Sequence, residues 1–142
     1  MGFQVKLDSN GTDPGMLKEL VGNGLVDRVA MDIKNAPSLY GETAGIRIPD
    51  LSAIEESKNF LLEGHCDYEF RTTVVKGLHT KESLRETAAW IKGAREYYLQ
   101  QYKDSGNVIS PAGLGAFSEE EMKEFLEAVR EIIPSAHLRG IG

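Results

Sequence analysis

The chain has 142 residues, 41% of them hydrophobic and 27% charged, the proportions of one soluble globular domain. That apolar content argues against a disordered chain, and no run approaches the roughly 20 apolar residues a membrane helix needs. Sixteen basic side chains against 22 acidic ones give a formal charge of -6, which disfavours nonspecific nucleic-acid binding. The N-terminus has neither the apolar core nor the small-residue cleavage site of a signal peptide, which points to the cytoplasm. A single cysteine, Cys66, excludes a disulfide framework and a zinc site of paired cysteines.

Alternation from Phe3 to Asp8 predicts a first strand, broken at Ser9-Asn10-Gly11. Thr12 or Asp13 then caps a helix with Pro14 near its first position and Met16, Leu17, Leu20 and Val21 on one stripe. It stops at Gly22-Asn23-Gly24, and Val26 to Ile33 is a second strand. Asn35 to Pro49 reads as a loop with one helical turn near Ser38 to Gly41. Asp50 caps the next helix, with Leu51, Ile54, Phe60, Leu61 and Leu62 along one side. Tyr68 to Val75 is rich in strand formers. Thr80 opens a helix through Leu84, Ala88, Trp90 and Ile91, ending near Gly93, and Tyr97 to Tyr102 is a fourth strand. A long loop, Asp104 to Phe117, precedes a capping box of Ser118 with Glu121 and a helix through Met122, Phe125, Val129 and Ile133. His137 to Gly140 is a short last strand. The order βα-βα-βα-βα-β predicts an α/β fold with about five parallel strands and right-handed crossovers.

Buried parallel strands normally read as continuous runs of Val, Ile and Leu, and these do not. Successive strand side chains point to opposite faces, so each strand divides by parity. Phe3, Val5 and Leu7 oppose Gln4, Lys6 and Asp8; Val29, Met31 and Ile33 oppose Arg28, Ala30, Asp32 and Lys34. Tyr68, Phe70, Thr72 and Val74 oppose Glu69, Arg71, Thr73 and Val75; Leu99 opposes Gln100 and Tyr102, and Leu138 opposes His137 and Arg139. One face suits packing under helices. The other is polar, and its groups gather at the C-terminal strand ends, where α/β folds bind ligands: Asp8, Asp32, Lys34, Arg71 and Thr73. Burying such charges unpaired costs several kcal/mol, so they are expected to form a network.

Four strings, Leu7-Asp8-Ser9-Asn10-Gly11, Ala30-Met31-Asp32-Ile33-Lys34, Tyr68-Glu69-Phe70-Arg71-Thr72-Thr73-Val74-Val75 and Tyr98-Leu99-Gln100-Gln101-Tyr102, occur in an order and spacing that carry a family resemblance. Over nearly the whole chain they resemble the C-terminal half of the radical SAM activating proteins of glycyl-radical enzymes. Within that family the anaerobic ribonucleoside-triphosphate reductase activators and the pyruvate formate-lyase activators are the nearest groups. The resemblance implies a partial (β/α)6 TIM-like barrel. In that family a [4Fe-4S] cluster reductively cleaves S-adenosylmethionine, and the resulting radical abstracts hydrogen from a glycine of the partner enzyme. By resemblance, Asp8, Ser9 and Asp32 match positions that hold a monovalent cation beside the methionine carboxylate, with Ser9 in place of the usual threonine. Lys34 matches a lysine of the same pocket, and Arg71 and Thr73 lie on the strand that reaches ribose and adenine. Lys103 falls where the pyruvate formate-lyase activators have a nucleoside-contacting histidine.

One departure outweighs the rest: the family's C-x3-C-x2-C cluster motif is absent, and one cysteine cannot hold a cluster. Residues 1–142 are therefore expected to be the C-terminal portion of a radical SAM barrel, a single domain without its cluster-binding half and inactive alone. The competing expectation is a non-catalytic α/β half-barrel that binds a small ligand or a partner protein. Open barrel edges predict self-association. Among weaker signals, Cys66 reads as a half-buried structural thiol, His65 as a loop residue, His79 as a solvated turn residue and Trp90 as core. Gly113-Leu114-Gly115 lacks the lysine of a phosphate-binding loop.

Overall fold

The computed structural model describes residues 5–40, 51–102 and 115–140. Five parallel strands form one sheet in sequence order: β1 (Lys6–Ser9), β2 (Arg28–Asp32), β3 (Asp67–Val74), β4 (Tyr97–Gln101) and β5 (Ala136–Arg139). Between them run α1 (Pro14–Gly22), a 3-10 turn (Pro37–Leu39), α2 (Ser52–Leu62), α3 (Lys81–Trp90) and α4 (Glu119–Arg130). A sheet that advances one strand at a time through right-handed crossovers keeps its helices on one face. It therefore winds in a single direction, as an arc of a (β/α) barrel does, and among the described residues no helix lies on the opposite face.

Local chemistry sets the element ends. Asp13 accepts a hydrogen bond from the Met16 amide at 3.0 Å, with Pro14 behind it, so of the two candidate caps Asp13 is the one used. Thr80 with Ser83, and Ser118 with Glu121, form reciprocal capping boxes at the starts of α3 and α4. The N-cap of α2 is Leu51, which makes no side-chain cap; the expected cap, Asp50, lies outside the described residues. Most of the expected Asp104 to Phe117 loop, with Gly113 and Leu114, also lies outside them, as do Phe3 and Gln4. Gly115 forms a paired bridge to Lys76 (2.8 and 3.1 Å), which anchors the chain beside the end of β3 as it enters α4.

The parity split holds. Val29 and Met31 of β2, Ile33 just past its end, Tyr68, Phe70, Thr72 and Val74 of β3, and Tyr97 and Leu99 of β4 are all buried under the helices. Leu17, Ile54, Leu61, Leu84, Ala88, Met122 and Val129 pack onto them from the helix layer. Val5 departs from this pattern: it precedes the edge strand and is 48% exposed, its amide held by the Asp27 carboxylate at 2.7 Å. Among the described residues no helix is long and apolar enough to cross a membrane.

Candidate functional site

Pleating aims Lys6, Asp8, Arg28, Ala30, Asp32, Glu69, Arg71, Thr73, Tyr98, Gln100, His137 and Arg139 at the face opposite the helices, and parallel register aligns them in rows. Lys6 pairs with Arg28; Asp8 pairs with Ala30 and that with Glu69; Asp32 pairs with Arg71, then Tyr98, then His137. The expected network is present. Arg71 Nε donates to Asp32 Oδ1 at 2.7 Å, its Nη2 lies 3.4 Å from Asp8 Oδ1, and Lys34 Nζ is 3.7 Å from Asp32 Oδ2. Burial pulls the Arg71 pKa down, but the Asp32 hydrogen bond and the charges of Asp32 and Asp8 outweigh it, so the guanidinium stays charged.

Nearer the N-terminal ends of the strands, Glu69 is the hub. Its side chain is 2% exposed and meets three cations: Arg139 Nη1 at 2.7 Å, Arg28 Nη2 at 3.0 Å and Lys6 Nζ at 3.5 Å. Burial raises its pKa, yet the hydrogen bonds from Arg139 and Arg28 hold the net value below the usual carboxylate range. Arg28 also bonds Glu96, and the Arg139 guanidinium stacks 3.7 Å from the Tyr98 ring centroid. Parity places Glu69 on this face; its partners depend on register across all five strands, which no local pattern in the sequence encodes.

Two cavities lie at the C-terminal strand ends. One, of about 160 Å³, is lined by Asp32, Lys34, Arg71 and Thr73 together with Ile33, Val75, Leu78 and His79. The other, of about 170 Å³, is lined by Asp8, Ser9, Asn10, Thr12 and Asp13 with Leu7, Met16 and Leu17. Arg71 lines the first and contacts Asp8, which lines the second. Six of the seven sequence-predicted site residues thus gather at one end of the sheet, and the seventh, Lys103, lies outside the described residues. Ser9 has the opposite parity to Asp8, and its hydroxyl accepts the Gly11 amide at 2.9 Å. Gly11 is buried with φ +76°, and a Cβ there would stand 2.2 Å from the tip of the Met31 side chain, so glycine is the residue that takes this turn without strain.

The tip of β2 is held from behind. Thr72 Oγ1 donates to the Ile33 carbonyl at 2.7 Å and contacts the Tyr97 hydroxyl at 2.5 Å, while the Tyr40 hydroxyl reaches the Asp32 carbonyl at 3.4 Å. His79 Nε2 lies 2.7 Å from the Lys34 carbonyl, and its Nδ1 accepts the Val75 amide at 3.0 Å. The expectation of a solvated turn residue is therefore corrected: His79 is 3% exposed, and burial holds its pKa below the ordinary value. Its position just before a helix cap suggested solvent; its backbone partners on two strand ends could not be read locally.

Cys66 is half-buried against the core, and burial, then the Asp67 charge, pushes its thiol pKa up. A protonated lone thiol does not suit a cluster that needs several thiolates. Among the described residues no group of three or more His, Cys, Asp or Glu side chains is arranged to hold a metal ion.

No protein-family model matches the chain. Over 109 residues it is 34% identical to a Methanocaldococcus jannaschii protein named "Putative glycyl-radical enzyme activating enzyme", a match that covers 72% of this chain and 44% of that protein. The chain thus spans under half the length of this relative. In fold it matches a crystal structure of a domain of pyruvate-formate lyase-activating enzyme from Bacteroides vulgatus, with a TM-score of 0.72 and 15% identity, over 98% of this chain and 83% of that one.

Proposed function

From the premise that this chain is kin to a segment of the radical SAM activating enzymes of glycyl-radical enzymes, we propose that its polar strand ends form part of an S-adenosylmethionine site. The observation that carries this reading is the gathering of Asp8, Asp32, Lys34, Arg71 and Thr73 around two cavities at the strand ends, linked by the contact of Arg71 with Asp8.

The donor set suits such a ligand. Its amino-acid end is a zwitterion beside a sulfonium, so carboxylates and a cation are wanted within a few ångströms of each other. Lys34 offers an ammonium to the ligand's carboxylate, and Thr73 with Arg71 offers hydrogen bonds to the ribose and adenine. Asp8, Ser9 and Asp32 supply hard oxygen donors for a monovalent cation beside that carboxylate. Asp8 and Asp32 already hold the Arg71 guanidinium between them, so a cation bound there shares these carboxylates with Arg71. Lys103 is assigned to the nucleoside end. Each cavity is smaller than the roughly 300 Å³ of a typical small-molecule pocket, consistent with this chain contributing one wall of a larger site.

In the whole enzyme, reductive cleavage of S-adenosylmethionine would serve to place a radical on a glycine of a partner of the anaerobic ribonucleotide reductase or pyruvate formate-lyase type. The [4Fe-4S] cluster that supplies the electron does not fit the single, protonated Cys66, so this chain binds and orients, and by itself is inactive. We assign the protein to the cytoplasm, where such partners work.

A second reading, a non-catalytic half-barrel that binds a small ligand or a partner, is favoured by the same cysteine observation. Calorimetric titration of the folded chain with S-adenosylmethionine separates the two. Saturable binding that Asp32→Ala abolishes supports the first. Absence of binding, with stable association to a glycyl-radical enzyme, supports the second.

A further inference from the structure

We propose that His79 is a positioning residue: it sets where Lys34 and the end of β2 present themselves to the first cavity. The inference rests on the reading of that cavity as a ligand site. Its basis is geometric. Asp32 and Lys34 supply the charged groups on this wall, and they flank the last ladder bond of β2, from the Ile33 amide to the Arg71 carbonyl at 2.8 Å, beyond which side chains must hold the backbone. A strand tip without such support moves, and a binding group misplaced by an ångström loses most of its value.

The backbone of this tip is held at three consecutive carbonyls by side chains from three different segments. Tyr40 takes the Asp32 carbonyl at 3.4 Å, Thr72 the Ile33 carbonyl at 2.7 Å and His79 the Lys34 carbonyl at 2.7 Å. Of these, His79 alone also grips the neighbouring strand's exit, through the Val75 amide at 3.0 Å. Because that amide is a donor, Nδ1 must be the bare nitrogen, and Nε2–H must be the donor to Lys34. One neutral ring therefore staples the ends of β2 and β3 together, and its edge forms part of the cavity wall that Lys34 and Arg71 line.

Few side chains can do this. Glutamine keeps an acceptor and a donor about as far apart as the two ring nitrogens. Leucine keeps bulk without either function, leaving the Val75 amide and the Lys34 carbonyl unpaired.

Two measurements on the full chain test the proposal. The first is 15N NMR of the wild-type ring at neutral pH. A slowly exchanging Nε2–H proton with Nδ1 as an unprotonated acceptor is expected; a rapidly exchanging ring with the free-imidazole tautomer mixture overturns the proposal whatever the chain binds. The second uses S-adenosylmethionine as probe in calorimetry. His79→Leu is expected to weaken binding by about tenfold, the scale of one lost buried hydrogen bond, while His79→Gln stays within about threefold of wild type. Equal affinity for wild type and folded His79→Leu, or no rescue by folded His79→Gln, overturns the positioning role. Should His79→Leu not fold, the Gln variant and the ring spectrum decide. A wild-type chain that does not bind the probe defeats the ligand reading, and the ring spectrum then judges the staple by itself.

Discussion

Arg71 Nε donates to Asp32 Oδ1 at 2.7 Å across directly registered positions of β3 and β2, on the polar face of the sheet. Asp32 also has Lys34 at 3.7 Å, so one carboxylate balances two cations. Asp32→Ala is expected to strip Arg71 to its longer contact with Asp8 and to destabilise the fold by about 1–3 kcal/mol, the range for removing a hydrogen-bonded charge partner. Urea unfolding of the two proteins measures this, and an unchanged midpoint counts against the pairing.

Glu69 is the more deeply buried carboxylate. Glu69→Gln keeps its shape but leaves Arg139, Arg28 and Lys6 facing a neutral amide. A loss of about 1–3 kcal/mol is expected, the range for hydrogen bonds to charged groups, because the three cations left behind are partly exposed and water takes over some of their solvation. Salt up to molar concentration should not reproduce that loss, because buried pairs are screened weakly.

The same residue sets an acid limit. Its folded pKa lies below the ordinary 4.5, so its stabilising contribution is fully present above that value and disappears as pH falls through the lower folded value. Stability measured between pH 5 and pH 3 should therefore decline, and the decline should be shallower in Glu69→Gln.

His79 acts in a different window with the same sign. Its folded pKa is depressed below 6.5, so the unfolded chain binds the proton more readily. Its contribution is complete above about pH 6.5 and erodes as pH falls from there toward the folded value. His79→Gln should flatten this part of the stability profile; an identical slope in both proteins would place the ring's titration elsewhere.

Gly11 offers a backbone test. Gly11→Ala forces a side chain onto φ +76° and against Met31 Cε, and a lower melting temperature is expected, from about 1–2 kcal/mol of left-handed strain plus the clash. The outer edges of β1 and β5 carry no strand neighbour among the described residues, so concentration-dependent self-association is also expected. Light scattering that shows a monomer at millimolar concentration would remove that expectation.

Much of this fold could be read in the sequence because its determinants are local. The period-2 split of β2 and β3 assigned faces correctly, and Thr80, Ser118 and Asp13 marked three helix starts by chemistry within three residues. The gathering of Asp8, Asp32, Arg71 and Thr73 was legible because a parallel sheet aligns strand ends. What escaped was non-local: the three cations on Glu69, and the burial of His79, whose partners at Lys34 and Val75 meet only once β2 and β3 are in register. The α2 start was misplaced because Leu51 holds the cap position without a side-chain bond.

The charges of the polar face are paired almost entirely among themselves. Lys6, Arg28, Lys34, Arg71 and Arg139 are answered by Asp8, Asp32, Glu69 and Glu96 from the same five-strand unit, and among the described residues no buried side-chain nitrogen or oxygen lacks a partner. With five cations against four carboxylates the cluster keeps one positive charge in excess, so this face carries a standing bias toward an anionic group.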